Sequence, residues 1–192
     1  MIKEKISKNE IVFSVSLVML AGVTFNFANL LTVVTSVGHS EYVFLFWLAG
    51  GCFLGFMYIP FKLIYLQYNI NKIPKIHIKS AIIIFVLIFF TGLYISGFSE
   101  TIHPFFIAVA EEYLFRHLIL EVLKKKYSKI QSMMIGSIIF AILLHLNGNL
   151  LFNMLTKIPF SLFLYYLADR KGIQYAIGAH WLNNLLVSQY VI

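Results

Sequence analysis

The chain has 192 residues, of which 60% are hydrophobic and only 12% are charged. A soluble domain of this size needs a larger share of polar residues to face water, so the composition excludes that class and indicates an integral membrane protein. The net charge of +7 points to no nucleic-acid partner, because the lysines lie in short loops between apolar runs, where they orient the spans in the bilayer.

Seven apolar runs follow one another along the chain. Each is close to the length of about 20 residues that a helix needs to cross the hydrocarbon core, and helices are required because lipid cannot satisfy a bare backbone. The runs are Ile11–Thr35, Tyr42–Gln67, Ser80–Gly97, Thr101–Leu123, Ile130–Leu146, Leu150–Leu167 and Ile173–Ile192. The sequence therefore predicts an all-α, polytopic transmembrane helix bundle of about seven spans, with six to eight also compatible, in one compact membrane domain.

Two of these runs contain residues that affect helix packing. In the second run, Gly51 and Gly55 form a GxxxG spacing, which lets a neighbouring helix approach closely. In the sixth run, Lys157 and Pro159 interrupt the apolar sequence. The ammonium of Lys157 could snorkel to the interface, and Pro159 would kink the helix. The alternative is that the fifth helix continues past Asn149 and the sixth is a short half-helix.

The loops give an independent indication of topology, because basic loops alternate with loops that have no excess of basic residues. The basic loops hold Lys3, Lys5 and Lys8, then Lys72, Lys75 and Lys79, then Lys124, Lys125, Lys126 and Lys129, and finally Arg170 and Lys171. Positively charged loops remain in the cytoplasm. We therefore expect a multi-pass protein of the cell membrane with its N-terminus in the cytoplasm and its C-terminus outside.

Three ionisable residues, Glu111, Glu112 and Arg116, lie deep in the fourth run. Such groups are costly in a membrane unless they are paired or hydrated, so they are candidates for function. Glu112 and Arg116 are four residues apart on one helix face and are expected to form an ion pair. Glu111 points about 100° away and is left without this partner, which suits a general base. The alternative is a structural Glu112–Arg116 pair with Glu111 facing a water pocket.

Polar residues also occur in two later runs. His145 lies near the end of the fifth, and His180 and Asn184 lie four residues apart on one face of the seventh. The side chains of His180 and Asn184 can both donate hydrogen bonds to a developing oxyanion. The alternatives are a capping or interfacial role for His145 and a polar clamp between helices for the other two.

These motifs together resemble the CPBP family of intramembrane proteases, the CAAX-protease and bacteriocin-processing group that is also called Abi. The resemblance rests on Glu-Glu-x-x-x-Arg at residues 111–116, a histidine in a following span at His145, and His-x-x-x-Asn at residues 180–184. It covers Pro104 to Ile192, about half of the chain. The motifs occur in the family's order and on separate helices.

The resemblance divides the chain into residues 1–100, which hold the first three transmembrane helices, and residues 101–192, which are expected to form the catalytic core. The sequence departs from the family's pattern at one position. The family has phenylalanine four residues before the histidine of its second motif, whereas here Ala141 precedes His145 by four residues and Phe140 is one residue earlier. Phenylalanine is a packing residue, so this departure concerns local packing.

The resemblance implies an endopeptidase without a cofactor. In the mechanism that the resemblance implies, Glu111 and His145 activate a water molecule, and His180 and Asn184 stabilise the oxyanion. A zinc site built from Glu111, His145 and His180 is the competing hypothesis for an enzyme, because these are ordinary zinc ligand types. The sequence contains neither the nucleophile elbow of serine hydrolases nor an HExxH zinc motif.

Two classes of function follow from these residues. The first is a protease that acts on a peptide or a membrane-protein substrate. The Lys-, Ile- and Asn-rich composition suggests an AT-rich bacterial genome and favours a short peptide, leader or pheromone precursor. Prenylated CAAX proteins are substrates of part of the family, but nothing in this sequence selects a prenyl group. The second class is a non-catalytic bacteriocin-immunity or peptide-binding membrane protein.

Overall fold

A computed structural model describes residues 9–35, 40–144 and 150–190. Within these residues the chain forms seven helices and no strand, which confirms the predicted all-α class. The helices are α1, Glu10–Thr35; α2, Glu41–Tyr68; α3, Ile78–Ser96; α4, residues 98–123; α5, Lys129–Leu143; α6, Leu150–Arg170; and α7, Ile173–Tyr190. They match the seven predicted runs in order and approximate position.

In the part of the chain that the structure describes, four helices are long and apolar enough to cross a membrane: α1, α2, α3 and α6. The shortest of them, α3, has 19 residues and is about 28 Å long at 1.5 Å per residue, close to the thickness of a hydrocarbon core. The fifth helix has 15 residues, Lys129–Leu143, and the last two residues of the predicted run lie outside the described residues. The alternative of a short sixth half-helix is wrong, because α6 continues for 21 residues through Pro159.

Helix α4 forms the centre of the bundle. Its residues Leu114, Phe115 and Ile119 are fully buried, and residues on every side of this part of the helix are buried, as expected for a helix that is surrounded by others. Helices α1, α2 and α5 pack on one side of it, and α7 packs against it together with α3 and α6. The ionisable residues of α4 are therefore placed in the interior of the bundle.

The two glycines of the GxxxG spacing lie where α2 meets α1. A Cβ atom added at Gly51 would be 2.6 Å from the Cβ of Ala28, and one added at Gly55 would be 2.9 Å from the Cβ of Thr24. Neither contact is possible without a shift of the helices. The close approach predicted from this spacing is confirmed, and it brings α1 and α2 together beside α4.

Two helices contain a wider, π-helical stretch. In α2 this stretch is Phe53–Tyr58, and in α4 it is Tyr113–Ile119. Stretches of this kind inside α-helices occur frequently at functional sites. The one in α4 begins directly after Glu112 and contains Arg116, so the wider turn lies at the predicted ion pair.

The connection between α2 and α3, residues 69–77, is bound to the bundle through its backbone. The carbonyl oxygen of Lys72 accepts a hydrogen bond from Nε2 of His117, at 2.8 Å. The carbonyl oxygen of Lys75 accepts one from the backbone N–H of Ile173, at 3.2 Å. These two bonds hold the connection against α4 and the start of α7.

Candidate functional site

The predicted ion pair between Glu112 and Arg116 forms inside the bundle. Nε of Arg116 donates to Oε2 of Glu112 at 2.8 Å, and Nη2 donates to Oε1 at 3.3 Å. Both side chains are fully buried. Two nearly parallel bonds between a guanidinium and a carboxylate form a strong, directional contact, so this pair fixes the orientation of the Glu112 carboxylate.

Residues of α5 and α6 enclose the other side of the guanidinium. Nη1 of Arg116 donates to the hydroxyl of Ser161 at 3.0 Å. The guanidinium carbon lies 4.3 Å from the ring centre of Tyr165 and 5.0 Å from that of Phe140, distances at which a cation is attracted to an aromatic face. The hydroxyl of Tyr165 donates to the carbonyl oxygen of Phe115 at 3.0 Å. Phe140 thus packs on the arginine, although the family pattern has its phenylalanine one residue later, at the position of Ala141.

His180 of α7 lies between the two glutamates of α4. Its Nδ1 is 2.9 Å from Oε1 of Glu112, and its Nε2 is 3.7 Å from Oε2 of Glu111. The residue is 4% exposed. Because a carboxylate accepts hydrogen bonds, Nδ1 carries the proton in this contact, and Nε2 is the nitrogen directed towards Glu111. The neighbouring Trp181 anchors this part of α7, since its Nε1 donates to the carbonyl oxygen of Thr101 at 2.9 Å.

Glu111 lies at the wall of a cavity between α1, α2, α4 and α5. The cavity has a volume of about 230 Å³. Its lining consists of Gly22, Phe25, Asn26, Cys52, Phe56, Ile107, Ala110, Glu111, Leu143 and Leu144. Oε2 of Glu111 is buried and has no hydrogen-bond partner among the described residues. The arrangement leaves this oxygen available to a water molecule or a substrate.

The other predicted site residues have different positions. Asn184 lies one turn after His180 on α7, and its side-chain oxygen is 3.5 Å from the amide nitrogen of Asn183. His145 lies outside the described residues, but Leu143 and Leu144, which precede it in the chain, line the same cavity as Glu111. The structure thus brings Glu111, Glu112, Arg116 and His180 together, whereas among the described residues no side-chain hydrogen bond or ion pair joins Asn184 to them.

The zinc hypothesis depends on His145 as its third ligand, and that residue is not described. In residues 9–35, 40–144 and 150–190, no group of three or more histidine, cysteine, aspartate or glutamate side chains is arranged to hold a metal ion. Two residues of the site, Ser161 and Tyr165, were not predicted from the sequence. They contact Arg116 only because α6 packs against α4, and no pattern in the neighbouring sequence indicates this contact.

The sequence was compared with known families, curated proteins and solved structures. Residues 79–186 match the sequence model of a family described as type II CAAX prenyl endopeptidase Rce1-like. The match runs from α3 into α7 and includes every predicted site residue, while α1 and α2 lie outside it. No curated protein and no solved structure matches the chain.

Proposed function

The chain belongs to the Rce1-like family of type II CAAX prenyl endopeptidases, and on that premise we propose that it is an endopeptidase whose active site lies within the membrane. The family is one of proteases, and the apolar helices are those of a membrane protein. In this proposal the substrate is a membrane-associated protein or a short peptide, such as a leader or a pheromone precursor, and the N-terminus faces the cytoplasm.

The observation that carries the proposal is the position of the His180 ring between two carboxylates. Arg116 pairs with Glu112, and Glu112 accepts a hydrogen bond from Nδ1, so the ring cannot turn without breaking a buried bond. Nε2 then faces Glu111, which keeps one oxygen without a partner among the described residues. A purely structural ion pair would not require a second carboxylate and an oriented imidazole beside it.

In the proposed reaction, Glu111 accepts a proton from a water molecule whose oxygen attacks the carbonyl carbon of the scissile peptide bond. Nε2 of His180 and the side-chain amide of Asn184 donate hydrogen bonds to the oxyanion that forms. This step needs the doubly protonated ring, in which both nitrogens donate. Glu111 then transfers its proton to the leaving nitrogen as the C–N bond breaks. His145 shares the binding of the water, and the roles of His145 and Asn184 rest on the family resemblance.

The test is cleavage of fluorescence-quenched peptides by the purified chain in detergent. The peptide set contains C-terminal CAAX-type peptides with and without a prenyl group, and apolar leader peptides. The variant Glu111→Gln keeps the shape of the side chain but removes the base, so we expect cleavage to fall by at least about 100-fold, the scale of a lost general base. Full cleavage by this variant would refute the glutamate mechanism.

A matched control is the same substitution at Glu121, which lies on the same helix and pairs with Lys72 and Lys124 instead of the site. Glu121→Gln should cleave close to the wild-type rate. A chelator such as EDTA should leave the wild-type rate unchanged if a carboxylate activates the water, and should abolish cleavage if zinc does. Helical circular dichroism of each variant confirms that the chain is folded.

A further inference from the structure

A second polar cavity lies at the end of the bundle that carries the basic loops, and the proposed reaction does not use it. Its volume is about 340 Å³. The connection of residues 69–77, the ends of α4 and α6 and the starts of α5 and α7 form its wall. Arg116 lies in this wall, but Glu112 balances its charge. The other charged residues of the lining are Lys72, Lys75, Glu121, Lys124, Lys129 and Asp169.

One carboxylate in this cavity serves two lysines. Oε2 of Glu121 lies 2.6 Å from Nζ of Lys72, and Oε1 of Glu121 lies 2.7 Å from Nζ of Lys124. The carboxylate carries one negative charge, whereas the two ammonium groups carry two positive charges. This part of the cavity therefore keeps one positive charge that no described side chain of the lining neutralises.

Lys75 adds a second uncompensated charge. The remaining lysine of the lining, Lys129, pairs with Asp169, and this pair is neutral. The side chain of Lys75 makes no hydrogen bond or ion pair within the described part of the chain. Its carbonyl oxygen accepts the bond from Ile173, so the fold uses the backbone of this residue and not its charge. Four lysines thus face two carboxylates, which leaves two positive charges for a bound anion.

The orientation of the spans in the bilayer does not require the lysines to converge in this way. It depends on how many basic residues a loop carries and not on the space that their side chains surround. Lys124 lines the cavity, whereas its neighbours Lys125 and Lys126 are not part of the lining. The cavity instead collects lysines from three segments, namely the connection between α2 and α3, the end of α4 and the start of α5. This convergence indicates a site for an anion.

The level of the cavity favours the head group of a lipid as this anion. Lys124 directly follows α4, and Lys129 begins α5, so both lie at the end of the bundle, close to the layer of the lipid head groups. The basic loops are expected on the cytoplasmic side, and basic pockets between transmembrane helices on that side bind the head groups of anionic lipids. Leu120 and Ile173 also line the cavity, which suits the less polar glycerol part of such a lipid.

We propose that this cavity binds the phosphate group of an anionic membrane lipid. A phosphate monoester carries a charge of about −1.5 to −2 at pH 7, which matches the two positive charges that the carboxylates leave uncompensated. The bound lipid joins the connection of residues 69–77 to the ends of α4 and α5 and thereby stabilises the folded chain. The site is separate from the proposed protease chemistry, and chains without a lysine at the position of Lys75 are expected to bind such lipids more weakly.

The test is thermal unfolding of the purified full chain in detergent micelles that contain either phosphatidic acid, whose head group is a phosphate monoester, or zwitterionic phosphatidylcholine. A ligand that binds only the folded chain raises the Tm, and at about 100 times its Kd the rise expected for a protein of this size is about 5–10 °C. Phosphatidylcholine should give no such rise. Because the readout is the Tm, the result does not depend on protease activity.

Single-lysine variants separate the cavity from a general attraction between a basic surface and an anionic lipid. Lys75→Gln removes an uncompensated charge without breaking an ion pair, and it keeps the backbone bond to Ile173. It should raise the phosphatidic acid concentration needed for a given Tm rise by about 10-fold, the scale of a lost charge-assisted hydrogen bond. Lys125→Gln changes the net charge equally at the same end of the bundle but outside the lining, and it should have no effect on this concentration.

Three outcomes would overturn the assignment. Equal Tm rises with phosphatidic acid and phosphatidylcholine would mean that the lipids act through the micelle and not through a charged site. Equal weakening in Lys75→Gln and Lys125→Gln would mean that the surface charge of the whole basic end binds the lipid. A Tm rise with inorganic phosphate at matched ionic strength, but none with phosphatidic acid, would replace the lipid by a free phosphate as the ligand.

Discussion

Replacing Arg116 by alanine should destabilise the protein far more than the loss of an exposed ion pair. The variant leaves the buried carboxylate of Glu112 without its countercharge and removes the group that packs on Tyr165 and Phe140. Removing one partner of a buried pair costs about 3–5 kcal/mol. In a protein of this size, each kcal/mol lowers the Tm by about 2–4 °C, so the expected decrease is about 6–20 °C.

The assay is thermal unfolding of the purified protein in detergent, followed by intrinsic tryptophan fluorescence. The control is Lys129→Ala, which breaks the ion pair with Asp169, where the lysine side chain is 50% exposed; an exposed pair contributes about 0–1 kcal/mol. The double variant Glu112→Gln, Arg116→Met removes both charges and should be more stable than Arg116→Ala. A Tm for Arg116→Ala within about 2 °C of the wild type, or a double variant no more stable than the single one, would refute this reasoning.

Two further predictions concern packing and topology. Gly51→Ala should lower the Tm in the same assay, because a Cβ atom at this position has no space against α1. Nothing lies within 4 Å of a Cβ atom at Gly50, so Gly50→Ala should raise the stability by up to about 1 kcal/mol. Equal Tm shifts in the two variants would contradict the close approach of α1 and α2. A reporter fused after Lys126 should read cytoplasmic and one fused after Ile192 external, and a cytoplasmic reading after Ile192 would exclude an odd number of spans.

The parts of the structure that follow local rules could be predicted from the sequence. Lipid requires long apolar helices, so the seven runs correspond to the seven helices of the described residues. Glu112 and Arg116 are four residues apart on one helix, and their contact follows from helix geometry alone. The approach of α1 to α2 likewise follows from the missing side chains at Gly51 and Gly55.

Contacts between distant parts of the chain could not be predicted in this way. The bond from His180 to Glu112 joins residues 68 positions apart, and it depends on how α7 packs against α4. The sequence suggested that His180 acts with Asn184 on its own helix, and that role remains a prediction. The π-helical stretch Tyr113–Ile119 contains no glycine or proline that would mark it, so the helix pattern gave no indication of it.

The connection formed by residues 69–77 has a consequence for how the sequence of this family can diverge. Two of its bonds to the bundle use the backbone carbonyl groups of Lys72 and Lys75, and every amino acid supplies such a carbonyl. Substitutions at these two positions leave the backbone bonds in place and remove, within the chain, at most the exposed ion pair of Lys72 with Glu121. His117, by contrast, contributes a ring N–H that few side chains can replace. Related chains are therefore expected to vary at the positions of Lys72 and Lys75 while they retain a donor at the position of His117.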